Sequence, residues 1–162
     1  MDVLSALGRE FDADLRATPF ILVLIRLAAA AMFGGVIGFE REMKSSSAGL
    51  RTHMLISLAA CLFALIALEL MEVAERAGDA GNADPLRMIE AVTAGVAFLA
   101  AGSIISSGGR IKGLTTGAGM WMAGAVGLSC GTGNLALALV ATVVAVVVLW
   151  VIKPVSERIG SE

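Results

Sequence analysis

The sequence is poor in several residue types, and each shortage argues against a class of protein. It has no tyrosine, one histidine and two cysteines, and 16% of its residues are charged, where ~25% is usual in soluble domains. Cys61 and Cys130 lie in separate apolar runs without CxxC spacing, so a disulfide framework or a zinc site is not expected. The 12 Lys and Arg do not outnumber the 14 Asp and Glu, which argues against a nucleic-acid-binding face.

The sequence is rich in long apolar segments. Hydrophobic residues make up 57% of the chain and the mean hydropathy is +0.87, which excludes a disordered tail and a simple soluble domain. A helix of ~20 residues crosses a membrane, and five segments qualify or nearly so: 20–39, 53–71, 87–107, 114–131 and 135–152. We therefore predict an all-α, polytopic membrane helix bundle over residues 20–152. We expect its short, glycine-rich fourth span to be broken or tilted.

The first 19 residues differ from this apolar domain. Leu4, Leu7, Phe11 and Leu15 recur at steps of three and four, with charged residues between them. This spacing predicts an amphipathic N-terminal helix over residues 1–19 that lies in the membrane interface; a frayed leader is the alternative. Its acidic start is atypical of a signal peptide.

The distribution of Lys and Arg predicts the orientation. With five spans, the first and third loops share a side with the tail at 153–162, and this side carries seven Lys and Arg residues. The opposite side carries four, and Arg26 lies inside the first span. By the positive-inside rule, we expect the N-terminus outside and the C-terminus in the cytoplasm.

Small residues form strips along three of the spans. A step of four residues turns only about 40° around a helix, so such strips favour close packing against another helix. The glycines that we assign to helix packing, within the chain or in a homo-oligomer, are Gly34, Gly38, Gly95, Gly102, Gly119 and Gly127.

Arg26 is the deepest charge in the sequence. It lies six residues inside the first span, about 9 Å deep, where a free charge costs a few kcal/mol. The topology brings Glu69, Asp84 and Glu90 towards the same side, with Arg87 competing for Asp84. We predict an Arg26–Glu90 pair, with Glu69, a helix-end carbonyl or a lipid headgroup as alternatives. A functional role and a purely structural ion pair both remain open.

The first cytoplasmic loop gathers several polar side chains at one membrane boundary. We predict a single polar site there, in which Arg51 turns towards a carboxylate, Thr52 caps the second helix and His53 begins it. A solvated, charge-paired loop is the alternative, and two carboxylates could also hold a hydrated magnesium ion. A Ser–His–carboxylate enzyme is less favoured, because a nucleophile elbow is missing. The members of this predicted site are Glu40, Arg41, Glu42, Arg51, Thr52 and His53.

The second cytoplasmic loop is glycine-rich and basic. Arg110 and Lys112 precede Thr115 and Thr116, one of which we expect to open the next helix. Free helix N–H groups beside two cations could hold an anion or a lipid headgroup, although a tight turn that follows the positive-inside rule explains the loop as well. The GxxxxGK[ST] pattern of a P-loop is missing.

Three stretches together resemble the MgtC/SapB family of bacterial inner-membrane proteins, in order and spacing over about residues 20–150. They are Gly38–Glu42 running to Ala48–His53; Asp84–Arg87 with Gly95, Phe98, Leu99 and Gly102; and Lys112–Thr116 with Trp121 and Gly127. The chain departs from the family at Ala97 and Ala100, often glycines, and near Asn134, often a tyrosine. Longer members carry an ACT-like domain after the last span, and because this sequence ends at Glu162 we expect a short form.

The resemblance implies a function in adaptation to magnesium limitation and, in pathogens, in virulence. It implies a regulator that restrains the membrane ATP synthase. We expect no enzymatic activity, cofactor or resident metal in this chain, and a membrane partner such as the ATP synthase or an ion transporter. We therefore expect a multi-span inner-membrane protein, surrounded by lipid, that modulates ion or energy homeostasis. The alternative is a small oligomeric channel or transporter, in which Arg26, Glu69 and Glu90 line a polar path.

Overall fold

The computed structural model describes residues 17–78, 84–107 and 110–159. Over these residues the chain forms five helices and one short hairpin: α1 (Phe20–Met43), α2 (Leu50–Arg76), α3 (Pro85–Ser103), β1 (Ile105–Ser107), β2 (Arg110–Lys112), α4 (Leu114–Gly131) and α5 (Leu135–Ile159). The predicted all-α bundle is therefore confirmed. The predicted N-terminal amphipathic helix lies outside the described residues, except for its last three positions.

The helices extend beyond the apolar segments that predict them. α1 runs to Met43, α2 begins at Leu50 and ends at Arg76, and α5 reaches Ile159. Hydropathy detects only the part of a helix that lies in the hydrocarbon layer, whereas the backbone continues its hydrogen bonding through the charged ends.

The predicted third span is too long at its C-terminal end. α3 ends at Ser103, and the chain turns into strand β1, which pairs antiparallel with β2. At the two ends of this ladder Ile105 pairs with Lys112 and Ser107 with Arg110. Isoleucine and serine are weaker helix formers than alanine or leucine, so the helix stops where they follow one another.

Helix α4 lies at the centre of the bundle. It packs against α1, α2, α3 and α5, and 11 of its 18 residues are buried. Despite its glycines it is one continuous helix, so the break that we considered from the sequence does not occur. Its small side chains let four neighbouring helices approach it closely.

The outer surface of the bundle is apolar. Among the described residues, α1, α2 and α3 are long and apolar enough to cross a membrane, and the Leu135–Trp150 part of α5 is a shorter apolar helix. Phe98 is 80% exposed and Phe20 67%. A surface of this kind is stable when lipid, and not water, surrounds it.

The helices run up and down, and two contacts define the ends of the bundle. Arg26 meets Gly131 near the start of α1 and the end of α4, which we call the Arg26 end. Lys44 meets Leu149 at the opposite end, after α1 and late in α5, which we call the Glu40 end. The predicted polar site and the hairpin belong to the Glu40 end.

Candidate functional site

A buried carboxylate with two cations lies at the Glu40 end. The Glu40 side chain is 2% exposed, and its carboxylate contacts the Arg41 guanidinium through one oxygen and the Lys44 ammonium through the other. Lys44 follows Glu40 by four residues, one turn along α1, and its ammonium also donates to the Leu149 carbonyl at 3.2 Å. Pairing of this kind is what makes a buried charge tolerable, and here it also connects α1 to α5.

His53 is fully buried one turn into α2. Its Nδ1 lies 2.9 Å from the Gly49 carbonyl oxygen, which can only accept, so Nδ1 carries the hydrogen and donates it. In the neutral ring Nε2 is then an acceptor, and it has no hydrogen-bond partner among the described residues. A Cβ at Gly119 would lie 2.9 Å from Nε2, so glycine is what admits the imidazole against α4.

Ser57 continues the polar line of His53 one turn further along α2. It is 0% exposed, and its Oγ has no partner within the described part of the chain. A Cβ at Gly34 would lie 2.6 Å from the Ser57 Cβ, and one at Gly127 would overlap the Ser57 carbonyl oxygen. We call this three-helix contact of Gly34, Gly38, Gly119 and Gly127 with His53 and Ser57 the glycine seam.

The start of α2 differs from the prediction. α2 begins at Leu50, and Glu42 caps it by accepting the Leu50 N–H at 3.0 Å. A Cβ at Gly49 would overlap the Glu42 carboxylate, so a larger residue there would displace this cap. The predicted cap by Thr52 and the predicted start at His53 are therefore wrong, because a carboxylate from α1 reaches the helix end first.

Arg51 also departs from the prediction. Its side chain is exposed and forms no ion pair or hydrogen bond with the described residues. The carboxylates expected to attract it are engaged elsewhere, Glu40 with two cations and Glu42 with the backbone of α2. The two acids thus face different partners instead of converging on one ion, and the described residues contain no group of three or more His, Cys, Asp and Glu side chains that could hold a metal.

At the Arg26 end, the predicted Arg26–Glu90 pair is wrong. Arg26 donates from Nη1 to the Gly131 carbonyl oxygen at 2.8 Å and lies 3.4 Å from the Thr18 hydroxyl, whereas Glu90 is exposed. The last carbonyls of α4 carry partial negative charge and lack helical partners, so they satisfy the arginine. The helix-end carbonyl, one of the alternatives considered, is the one that the structure contains.

The other charges near the Arg26 end have separate roles. Glu69 accepts the Ala17 N–H at 2.9 Å, and Asp84 caps α3 by accepting the Leu86 N–H at 2.9 Å. Arg87 is exposed in the first turn of α3. Arg26 and Glu90 therefore do not share a polar contact.

The basic loop before α4 differs from the prediction, and two of the predicted packing glycines are not closely packed. α4 begins at Leu114, so neither Thr115 nor Thr116 opens it; Gly113 occupies the cap position with φ +91°. Thr116 is buried and Lys112 exposed. A Cβ at Gly95 or Gly102 would meet nothing within 4 Å, so neither of these two α3 glycines is closely packed against the described residues.

Sequence reasoning missed Ser57. The available signal was its position four residues after His53, which places both side chains on one face of α2. Serine in an apolar span is common as a small packing residue, so its alignment with His53 becomes informative only when the face of α2 is known.

Proteins of one family resemble this chain in sequence. The model of the MgtC family matches residues 27–158. The chain is 36% identical over 131 residues to Protein MgtC of Brucella abortus, covering 81% of this chain and 51% of the relative. It is 36% identical over 136 residues to the putative magnesium transporter YhiD of Escherichia coli K12, covering 84% and 63%. It is 31% identical over 142 residues to Protein MgtC of Salmonella typhimurium, covering 88% and 56%.

The chain spans about half to two thirds of the length of these curated relatives. No solved structure matches it. The region that the family model matches includes all of α2, α3 and α4 and the residues of the Glu40 end, and it begins one residue after Arg26. On the strength of the family model and of relatives that align over most of its length, the chain belongs to the MgtC family of membrane proteins.

Proposed function

We propose that this protein is a non-enzymatic component of the bacterial inner membrane that modulates ion or energy homeostasis by binding membrane partners. The observation that carries the proposal is the contrast between a closed interior and an open outer face. The glycine seam is packed so tightly that a Cβ at Gly127 would overlap the Ser57 carbonyl oxygen. Outside, the small residues Gly95 and Gly102 of α3 have room for another helix.

The names of the relatives support an association with magnesium. Three of them are called MgtC or putative magnesium transporter, and the family resemblance adds adaptation to magnesium limitation and virulence in pathogens. The partners that we propose are a second copy of the chain and a membrane complex such as the ATP synthase or an ion transporter. We place the N-terminus outside and the C-terminus in the cytoplasm, as the Lys and Arg distribution favours.

Capture of partners from native membranes, with and without magnesium, tests the proposal. Gly95→Leu places bulk at an open position of α3, where a Cβ would meet nothing within 4 Å, so the bundle should fold while partner capture falls. Val140→Leu is the control, because Val140 is 59% exposed on α5. Equal capture by the wild type and the Gly95→Leu variant would exclude α3 as the contact face.

Transport is the second candidate function. The buried Nε2 of His53 and Oγ of Ser57 have no partners among the described residues and lie one turn apart, as polar groups do along a solute path. Magnesium flux into liposomes that contain the purified protein distinguishes the candidates. A flux that His53→Gln and Ser57→Ala abolish would favour transport, and no flux above empty liposomes would favour modulation.

A further inference from the structure

A slot at the Glu40 end combines an apolar interior with a charged rim. It lies between α1, α2 and α5, has a volume of about 410 Å³ and is lined by Ala31, Gly35, Met54 and Trp150 with Glu40 at one end. This volume falls in the range of ~300–1,000 Å³ that is typical of ligand sites. The lining residues Met32, Val36 and Phe39 are 58%, 45% and 56% exposed, so the slot opens sideways towards the lipid.

The interior of the slot suits a hydrocarbon chain. Apart from Glu40, its lining consists of apolar and small residues, and water does not stably fill an apolar cavity. Because the slot opens to the bilayer, an acyl chain can enter without desolvating a polar group. Trp150 lines the slot near its charged end, at the level where indole rings prefer the membrane interface.

Two cationic side chains near the slot keep hydrogen-bond donors that the described residues do not use. The Lys44 ammonium has three N–H donors, of which the Glu40 carboxylate and the Leu149 carbonyl account for two. Arg51 is exposed and adjoins Leu50, which lines the slot. Between residues 40 and 51 the sequence has three cations and two carboxylates, and basic sites between membrane helices attract anionic headgroups.

We propose that this slot is a binding site for an anionic phospholipid, with one acyl chain between α1, α2 and α5 and the phosphate at Lys44 and Arg51. This inference is independent of the proposed function. The bound lipid would join α5 to the buried charges of α1, where Lys44 already connects the two helices.

A second groove provides an internal control. It lies between α2 and α3, has a volume of about 440 Å³ and is lined by apolar residues such as Ala91, Gly95 and Leu99. This groove has a similar size and similar access to lipid, but none of the described residues that line it is charged. An acyl chain could enter it, but the lining offers nothing that would distinguish one headgroup from another.

Lipid binding by the purified full chain tests the proposal. We would measure retained phosphatidylglycerol and phosphatidylcholine of identical chains by native mass spectrometry, together with the thermal unfolding midpoint. The wild type should retain phosphatidylglycerol preferentially. Arg51→Gln should weaken that preference about five-fold, the worth of one basic residue near a membrane surface, and high salt should weaken it as well.

Variants that fill one groove or the other distinguish binding of an acyl chain in the slot from unselective lipid coverage of the bundle. Ala31→Phe should displace the retained phosphatidylglycerol, whereas Ala91→Phe should leave it bound. Val36→Trp is a second way to fill the slot, at a position with room on its lipid side, should Ala31→Phe fail to fold. Lys44→Arg should retain the lipid because it keeps the charge.

Three outcomes would overturn the proposal. One is equal retention and equal stabilisation by phosphatidylglycerol and phosphatidylcholine in the wild type. Another is an unchanged preference in Arg51→Gln at low salt. The third is equal loss of phosphatidylglycerol from the slot-filling and the Ala91→Phe variants, which would indicate unselective coverage of the bundle.

Discussion

Helices α3 and α4 are both rich in glycine and alanine, but they present these residues to different surroundings. In α4, 11 of 18 residues are buried, against 3 of 19 in α3. Gly127 of α4 faces the backbone of α2, whereas Gly95 of α3 faces open space. The small residues of α4 are therefore used within the chain, and those of α3 remain accessible to another molecule.

The contrast shows what a strip of small residues means in a membrane protein. Hydrocarbon is as apolar as the helix surface, so burial of apolar area does not decide which face turns inward, and close backbone approach does. α4 is surrounded by four helices of the same chain, and its small residues already pack closely against them. α3 packs mainly on α4 and leaves its other side to lipid or a partner.

The largest expected effect is the difference in stability between two variants that each add one methyl group, one to α4 and one to α3. Gly127→Ala places a Cβ in overlap with the Ser57 carbonyl oxygen, so α2 and α4 must separate, and we expect a loss of about 3 kcal/mol or more. Gly95→Ala should not lower stability, because its Cβ would meet nothing within 4 Å and alanine is the better helix former by ~0.5–1 kcal/mol. Thermal unfolding in detergent measures both, and similar midpoints for the two variants would remove the distinction between the helices.

The next effect concerns the buried carboxylate of Glu40 at the end of α1. Glu40→Gln leaves Arg41 and Lys44 without their countercharge, and breaking a buried pair costs about 3 kcal/mol or more. We expect lower stability and impaired function with normal membrane insertion. Glu42→Gln is the matched control, since its amide oxygen can still accept the Leu50 N–H; a change as large as that of Glu40→Gln would argue against a special role for the buried site.

A smaller effect is expected at the C-terminal end of α4. Arg26→Met keeps the apolar stem but removes the donor to the Gly131 carbonyl, a charged hydrogen bond worth about 2 kcal/mol. Arg87→Met removes an exposed arginine from the first turn of α3 and should cost less than ~0.5 kcal/mol. Equal unfolding midpoints for the two variants would mean that Arg26 does not stabilise α4.

The sequence predicts the five helices because each contains a predominantly apolar segment, although among the described residues only α1, α2 and α3 are long and apolar enough to cross a membrane. It predicts less well where they end: α3 stops at Ser103 and the chain enters a hairpin, since hydropathy does not distinguish an isoleucine in a helix from Ile105 in a strand. The sequence also indicates which glycines permit close packing, but not that Gly127 meets α2 while Gly95 meets nothing.

The sequence predicts which residues belong to the candidate site, but not which atoms they contact. Glu40, Arg41 and His53 stand out as polar residues at a span boundary, and all three are buried. The backbone partners of the site are not visible in the sequence, because His53 bonds to the Gly49 carbonyl and Lys44 to the Leu149 carbonyl. The same applies to Arg26, whose acceptor is the Gly131 carbonyl 105 positions away, an atom that every residue possesses.

The smallest expected effect is the coupling between Arg26 and Glu90, and it tests whether charge on α3 matters to α4. A buried Arg–Glu pair would show a strong coupling in a double-mutant cycle, because each single substitution would strand the other charge. In the structure Arg26 is bonded to the end of α4 while Glu90 is exposed on α3. Arg26→Ala should therefore destabilise, Glu90→Ala should not, and the double variant should equal their sum within ~0.5 kcal/mol. A coupling clearly above that value would mean that the carboxylate of α3 reaches the arginine after all, and that α3 takes part in the interior in the way that α4 does.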